Sequence, residues 1–145
     1  MKTLVVDASV VTKWIFEEAG TPEALRLRRE VHLLAPELLI AECANILWKK
    51  VRRNELQRDE ALVAARALEH ADIEILPTRA LLSAAARIAL ELDHPAYDCL
   101  YLALALDNDC RFVTTDQRFL HRLAGGPELF RGQALSLAEA ATLYP

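Results

Sequence analysis

Thr3-Leu4-Val5-Val6-Asp7 opens the chain, and Phe112-Val113-Thr114-Thr115-Asp116 returns to the same design near its other end. Each is a short apolar run closed by an aspartate, the form expected of a buried strand that ends at a polar rim. Strands are predicted at about residues 3–7, 32–35, 73–76 and 111–115, with an edge strand after Gln133. Helices are predicted between them, and strands alternating with helices build a central parallel sheet. In such sheets ligands collect outside the carboxyl ends of the strands. Asp7 and Asp116 therefore stand where a ligand is expected.

Two further acids belong beside them. Glu42 follows Leu38-Leu39-Ile40-Ala41 early in a helical stretch from Pro36 to Arg53. Asp98 opens a helix from Ala96 to Leu106, just before Cys99-Leu100-Tyr101-Leu102-Ala103. Taken singly, each acid has a structural explanation. Asp7 and Asp116 suit helix caps, Asp98 gains about 0.3–1 kcal/mol from a helix dipole, and Glu42 suits a solvated helix face. Their shared setting in strongly apolar sequence argues otherwise, because charged residues are seldom buried without a partner or a metal. Two unit charges about 4 Å apart repel by roughly 4 kcal/mol at an effective dielectric near 20. A hard divalent cation held by oxygen ligands would relieve that repulsion. Asp72, Asp93, Asp107 and Asp109 sit at helix ends in polar surroundings and are expected on the surface.

The remaining segments fill out one α/β domain over residues 1–145, a length that gives room for a full core. The first strand leads into a helix carrying Val10, Val11, Trp14 and Ile15. Thr21-Pro22-Glu23 reads as an N-cap followed by proline at the first helical position, with that helix running to about Val31. Further helices are predicted over about residues 58–71 and 80–92, and His94-Pro95 breaks the chain before the helix bearing Asp98. With 53% hydrophobic residues, four Gly and six Pro, extensive disorder is excluded.

No apolar run approaches the roughly 18 residues of a membrane span, and Asp7 interrupts the N-terminal apolar stretch too early for a secretory signal. A cytoplasmic location is expected. Cys43, Cys99 and Cys110 form no CxxC pair, and Cys43 and Cys99 are expected as buried small hydrophobes. The net charge of −4 argues against strong non-specific nucleic-acid binding, although an acidic metal site itself supplies much of that deficit.

Four segments together resemble the PIN-domain family: Val5-Val6-Asp7-Ala8-Ser9, Pro36 to Asn45, Tyr97-Asp98-Cys99-Leu100-Tyr101-Leu102-Ala103, and Val113-Thr114-Thr115-Asp116-Gln117-Arg118-Phe119. Within it the chain is most similar to the VapC-type ribonuclease toxins of prokaryotic toxin–antitoxin pairs. The resemblance runs in order over nearly the whole chain and thins beyond about Gly125. It implies a three-layer α/β/α sandwich around a mostly parallel sheet of four to five strands. It also implies that Asp7, Glu42, Asp98 and Asp116 hold Mg²⁺ or Mn²⁺, and that Ser9 and Thr114 match hydroxyl positions near that site. Thr115 departs from the family, which often has Asn there. The implied activity is endoribonucleolytic hydrolysis by metal-activated water, leaving a 5′-phosphate and a 3′-hydroxyl. The implied partners are RNA, a VapB-like antitoxin and a second copy of the chain in a homodimer.

Secondary candidates surround the quartet. Asn45 and Lys49 follow Glu42 by three and seven residues and share its helix face. Asn45 either orients Glu42, touches RNA or is a polar helix residue. Lys49 and Lys13 are candidate RNA contacts, against a solvated alternative. His121 is expected on the surface, and His32, His70 and His94 show no metal-ligand spacing. Trp14 and Trp48 suit packing or partner contact. Large apolar residues near the site (Val10, Val11, Trp14, Ile15, Phe16, Leu47, Trp48, Val51) exceed what one small core readily absorbs and are expected to serve protein contacts, against packing between helices, which is the reading for Val11 and Ile15. Two other functions fit the same fold: a housekeeping RNA-processing nuclease, and a non-catalytic RNA- or protein-binding module whose acids are structural. A receiver-type or phosphatase-type domain also ends its first strand with Asp, but usually places a second acid close behind, where this chain has Ala8 and Ser9.

Overall fold

Five parallel strands lie in the order β3-β2-β1-β4-β5 in the computed structural model, which describes residues 2–145. They are β1 (Thr3–Val6), β2 (His32–Pro36), β3 (Glu74–Leu76), β4 (Arg111–Thr114) and β5 (Ala134–Ser136). The helices are α1 (Ala8–Val11), α2 (Thr21–Glu30), α3 (Leu38–Arg52), α4 (Arg58–Glu69), α5 (Leu82–Leu92), α6 (Ala96–Asp107), α7 (Gln117–Ala124) and α8 (Leu137–Leu143). Leu4, Val5 and Val6 are wholly buried, as a strand covered on both faces must be. Helix α6 packs across β1, β2 and β4, whereas α2 and α8 pack on each other. The result is an α/β/α sandwich.

Strand order places the crevice. The chain steps outward from β1 to β2 and β3, then crosses back to β4 and outward again to β5. Right-handed crossovers therefore lay the helices of the two halves on opposite faces. Between β1 and β4 the connections diverge, and that topological switch point opens a cleft at the carboxyl ends. Val6 pairs with Val113, so the two strands reach the rim in register.

The helices that frame the cleft owe their seating to apolar spacing. Leu39, Cys43 and Leu47 fall one turn apart on α3 and are buried, which turns the opposite side of that helix outward. Helix α6 is buried around most of its circumference from Cys99 to Ala105, so its first turn is held firmly against the sheet.

Several details differ from the sequence reading. The first strand ends at Val6, because Asp7 turns to cap α1. The expected first helix is four residues of α1 followed by a 3-10 turn, Thr12–Trp14. The N-cap of α2 is Gly20 rather than Thr21, and the Thr21 hydroxyl instead donates to Phe16 O and accepts from Glu18 N, both at 3.0 Å. Pro36 stays in β2, where it pairs with Leu76, so α3 begins at Leu38. A 3-10 turn, Arg79–Leu81, precedes α5. The apolar surplus is smaller than expected, because Val10 and Leu47 are buried in the core, as Val11 is in line with expectation, while Trp48 remains 53% exposed.

Gly20 adopts φ 91°, and an added Cβ would lie 3.0 Å from Leu137 Cδ2. A side chain there meets both a left-handed backbone and α8. Gly20→Ala should cost about 1–2 kcal/mol in denaturant unfolding, with α2 as the element disturbed.

Candidate active site

Asp7, Glu42, Asp98 and Asp116 line one cleft of about 290 Å³, together with Ser9, Asn45, Lys49 and Thr115. Each acid reaches it from a different element. Asp7 follows β1, Glu42 lies on α3, Asp98 is in the first turn of α6, and Asp116 follows β4 as the N-cap of α7.

Asp7 is the most deeply set, at 7% exposure. Ser9 Oγ donates to its Oδ1 and Thr114 Oγ1 to its Oδ2, each at 2.5 Å, and the Val10 amide donates to Oδ1 at 3.3 Å. The two hydroxyls also tie the rim together. Thr114 Oγ1 accepts from the Asp116 amide at 3.1 Å, and Ser9 Oγ accepts from the Thr115 amide at 3.4 Å. Burial raises the pKa of Asp7, and these donors only partly offset it.

The other acids form a graded set. Burial raises Glu42, opposed by a hydrogen bond from the Tyr101 hydroxyl and reinforced by the charge of Asp7. Burial also lifts Asp98 to about 7, while a hydrogen bond with His94 pulls against it and contact with Asp116 pushes further. Desolvation opposes ionisation of Asp116, but the hydrogen bond from Asp98 and the Phe119 and Arg118 amides outweigh it and lower its pKa. Asp98 and Asp116 thus behave as a pair sharing a proton, carried on Asp98.

The tightest grouping is His94, Asp98 and Asp116, whose candidate ligand atoms lie within 4.8 Å of one another. Asp7 and Glu42 line the same cleft outside that trio. Carboxylate oxygens are the donors that hard divalent cations take, and the four acids of the cleft supply them. Lys49 is the only cation among the described residues lining the cleft, too little to neutralise four carboxylates.

Asn45 and Lys49 are exposed within the cleft, and Ser9 is at its wall. Thr114 is fully buried and acts through Asp7. Lys13 does not line the cleft: its Nζ lies 3.1 Å from Glu18, which also draws Lys50 to 3.6 Å. Cys43 and Cys99 are buried, as expected, and burial first, then nearby carboxylates, pushes their thiols up to about 12 and about 11. Neither supplies a thiolate near neutral pH.

Sequence spacing missed two residues. His94 was expected to lack ligand spacing, yet it is 8% exposed and its Nε2 lies 2.9 Å from Asp98 Oδ2. The signal was its position four residues before Asp98, masked by the intervening Pro95. Tyr101 looked like part of an apolar run, but it is wholly buried and its hydroxyl donates to Glu42 Oε1 across 59 residues of chain. Only its place three residues after Asp98 hinted at this.

Asp7 just beyond β1, a helix-borne Glu42 and the Asp98–Asp116 pair at a β1/β4 crevice define a class, and comparison with known families agrees. The PIN domain family model matches residues 4–125, and the chain belongs to that family. It is similar to Ribonuclease VapC3 of Pyrobaculum aerophilum, 31% identical over 124 residues that cover 82% of this chain and 93% of that protein. In three dimensions it is similar to PAE2754 from Pyrobaculum aerophilum, with a TM-score of 0.73 at 20% identity over 99% of this chain and 89% of that one. A toxin-antitoxin complex from Klebsiella pneumoniae gives a TM-score of 0.65 at 11% identity, covering 92% and 97% of the two chains. FitAB bound to an IR36 DNA fragment gives 0.64 at 14% identity, covering 92% and 94%. The structural likenesses establish the fold. Among the described residues no helix is long and apolar enough to cross a membrane.

The raised carboxyls have a measurable consequence. A carboxyl whose folded pKa exceeds its unfolded value stabilises the fold at low pH, and that contribution is lost as pH rises through the folded value. For Asp98 the window runs from about 4 to about 7, and the raised Asp7 and Glu42 act in the same direction. The melting temperature of chelated protein should therefore fall between about pH 4 and about pH 7. Asp98→Asn should flatten that slope, a comparison open to differential scanning fluorimetry.

Proposed function

We propose that this chain is an endoribonuclease dependent on Mg²⁺ or Mn²⁺ and the toxin half of a VapBC-type pair, acting in the cytoplasm as a single domain over residues 1–145. The observation that carries this reading is the convergence of Asp7, Glu42, Asp98 and Asp116 on one cleft, in a chain of the PIN-domain family. The similarity to Ribonuclease VapC3 supports RNA as the substrate.

These four carboxylates would hold the cation. A divalent ion in such a site activates water, polarises a phosphoryl oxygen and offsets charge on the leaving 3′-oxygen. Ser9 and Thr114 keep Asp7 aimed into the cleft by occupying both of its oxygens. The hydrogen bond from Asp98, and then the Phe119 and Arg118 amides that Asp116 caps, favour the ionised form of Asp116. Lys49 meets an RNA phosphate at the rim, and Asn45, between it and Glu42 on the same face, meets the neighbouring sugar or phosphate. Lys13 is held back from that role by Glu18. Cleavage leaves a 5′-phosphate and a 3′-hydroxyl.

The antitoxin and homodimer proposals draw on surface that the core leaves over. A cavity of about 220 Å³ runs between α3, α4 and β3, walled by Leu39, Ile40, Leu47, Leu68 and Ile73. Nearby Ile40, Trp48, Leu62 and Val63 are more than half exposed. An amphipathic antitoxin segment fits that chemistry, with an Arg reaching the acidic cleft to pair its carboxylates. The Klebsiella pneumoniae neighbour is a toxin-antitoxin complex by its own description.

Asp7→Asn and Asp98→Asn should each reduce cleavage of single-stranded RNA by at least about 100-fold, beyond the range for groups one shell further out. Excess chelator should do the same to the unmodified protein, with activity restored by Mg²⁺ or Mn²⁺. Activity that persists in either variant or in chelator excludes the mechanism. A protein that is monomeric in solution, harmless when expressed alone and indifferent to the product of the adjacent small gene excludes the toxin role and leaves the nuclease chemistry intact.

A further inference from the structure

Four rings lie in an unbroken row beneath the acidic cleft. His94 meets Phe119 with centroids 5.0 Å apart, Phe119 meets Phe112 edge-on at 5.9 Å, and Phe112 stacks on Tyr101 at 5.2 Å and 12°. Phe112, Phe119 and Tyr101 are wholly buried, and His94 nearly so. The row joins β4, α7, α6 and the segment leading into α6. Each end carries a hydrogen-bonding group, and each meets a different carboxylate of the cleft. Tyr101 Oη donates to Glu42 Oε1, and His94 Nε2 lies 2.9 Å from Asp98 Oδ2.

We propose that Tyr101 and His94 are positioning residues: the ring row is a rigid floor whose two polar ends fix Glu42 and Asp98 in the geometry that binds a divalent cation. The proposal rests on the cation-dependent reading of the cleft. Glu42 and Asp98 are the two acids borne on helices without a hydroxyl clasp of the kind that Ser9 and Thr114 give Asp7. A glutamate held at its carboxylate loses rotamer freedom, and a cation site bears that entropic cost unless the fold has already done so. Tyr101 restrains Glu42 before any cation arrives. Once a cation displaces the proton that Asp98 shares with Asp116, the ionised carboxylate only accepts, so His94 then donates from Nε2 to do the same for Asp98. At Glu42 one oxygen is committed to the floor and the other is left for a cation or its water. Partners one shell beyond a metal ligand typically control affinity by 10–100-fold.

The test removes each donor while keeping its ring. Tyr101→Phe and His94→Phe full-length proteins are stripped with chelator, and Mn²⁺ binding is followed calorimetrically and by the electron paramagnetic resonance signal of free Mn²⁺. Each variant should bind Mn²⁺ about tenfold more weakly than the unmodified chain, with circular dichroism unchanged. Cleavage at saturating Mn²⁺ should recover most of its rate. His94→Gln, which restores a donor without the ring, should recover part of the affinity. Phe119→Leu, which breaks the row and keeps both donors, should weaken binding by a smaller factor. If His94→Phe does not fold, Tyr101→Phe decides the matter alone. Unchanged Mn²⁺ affinity in folded Tyr101→Phe overturns the proposal while leaving the cation site standing. With Mg²⁺ titrated in parallel, His94→Phe that weakens Mn²⁺ binding but not Mg²⁺ binding overturns the positioning role of that residue, because it makes the imidazole a direct ligand. Failure of the unmodified chain to bind Mn²⁺ overturns the cation-dependent reading itself, and this inference with it.

Discussion

A carboxylate buried at the end of a central strand is the constraint from which the rest of the molecule follows. Asp7 has little access to water, and among the described residues no cation is bonded to it. Its burial is tolerable because both oxygens accept hydrogen bonds, from Ser9 two residues along the chain and from Thr114 on the neighbouring strand. Leaving such a group without donors would cost several kcal/mol more. The cross-strand donor requires β1 and β4 to be adjacent, parallel and in register, and the Val6–Val113 pairing provides this. That adjacency is also the switch point of the sheet. The polar demands of one aspartate and the topology of the fold therefore coincide.

The neighbouring acids share the problem and solve it differently. Asp116 lies at a helix N-terminus, where two amides favour its charge. Asp98, within 4.8 Å of it, yields and keeps a proton. Two full charges at that separation would repel by roughly 3–4 kcal/mol at an effective dielectric near 20. Cap and ligand are thus compatible roles for the same side chain. The cap fixes one oxygen of Asp116 on the helix and the site uses what remains.

Legibility in the sequence followed the range of the interactions. The four acids could be found because each sits at the edge of an apolar run, and that pattern is local. The parallel sheet was legible for the same reason, down to the edge strand β5 after Gln133. Features fixed by tertiary contact were not. Gly20 replaces Thr21 as the α2 cap because the preceding turn ties up the Thr21 hydroxyl. Val10 and Leu47 looked surplus until α1 and α3 were packed around the sheet. Tyr101 reads as one more apolar residue of α6, since nothing within a turn of it shows that Glu42 will stand opposite.

That last case bears on how the site is built. Helix α6 presents Asp98 to the cleft from its first turn and Tyr101 one turn on, so one rigid element supplies a carboxylate and restrains another. Because α6 is buried around most of its circumference, it cannot rotate without breaking the core. Helix α3 has no such anchor at Glu42, since its outer side faces solvent at Ile40, Ala41 and Ala44. A long side chain on a half-exposed helix is the least constrained member of the set, and it is the one that a buried phenol grips. The deepest acid needs hydroxyls to bear its charge, and the shallower ones need partners to limit their motion. Burial therefore decides both which carboxylates resist ionisation and which must be steered.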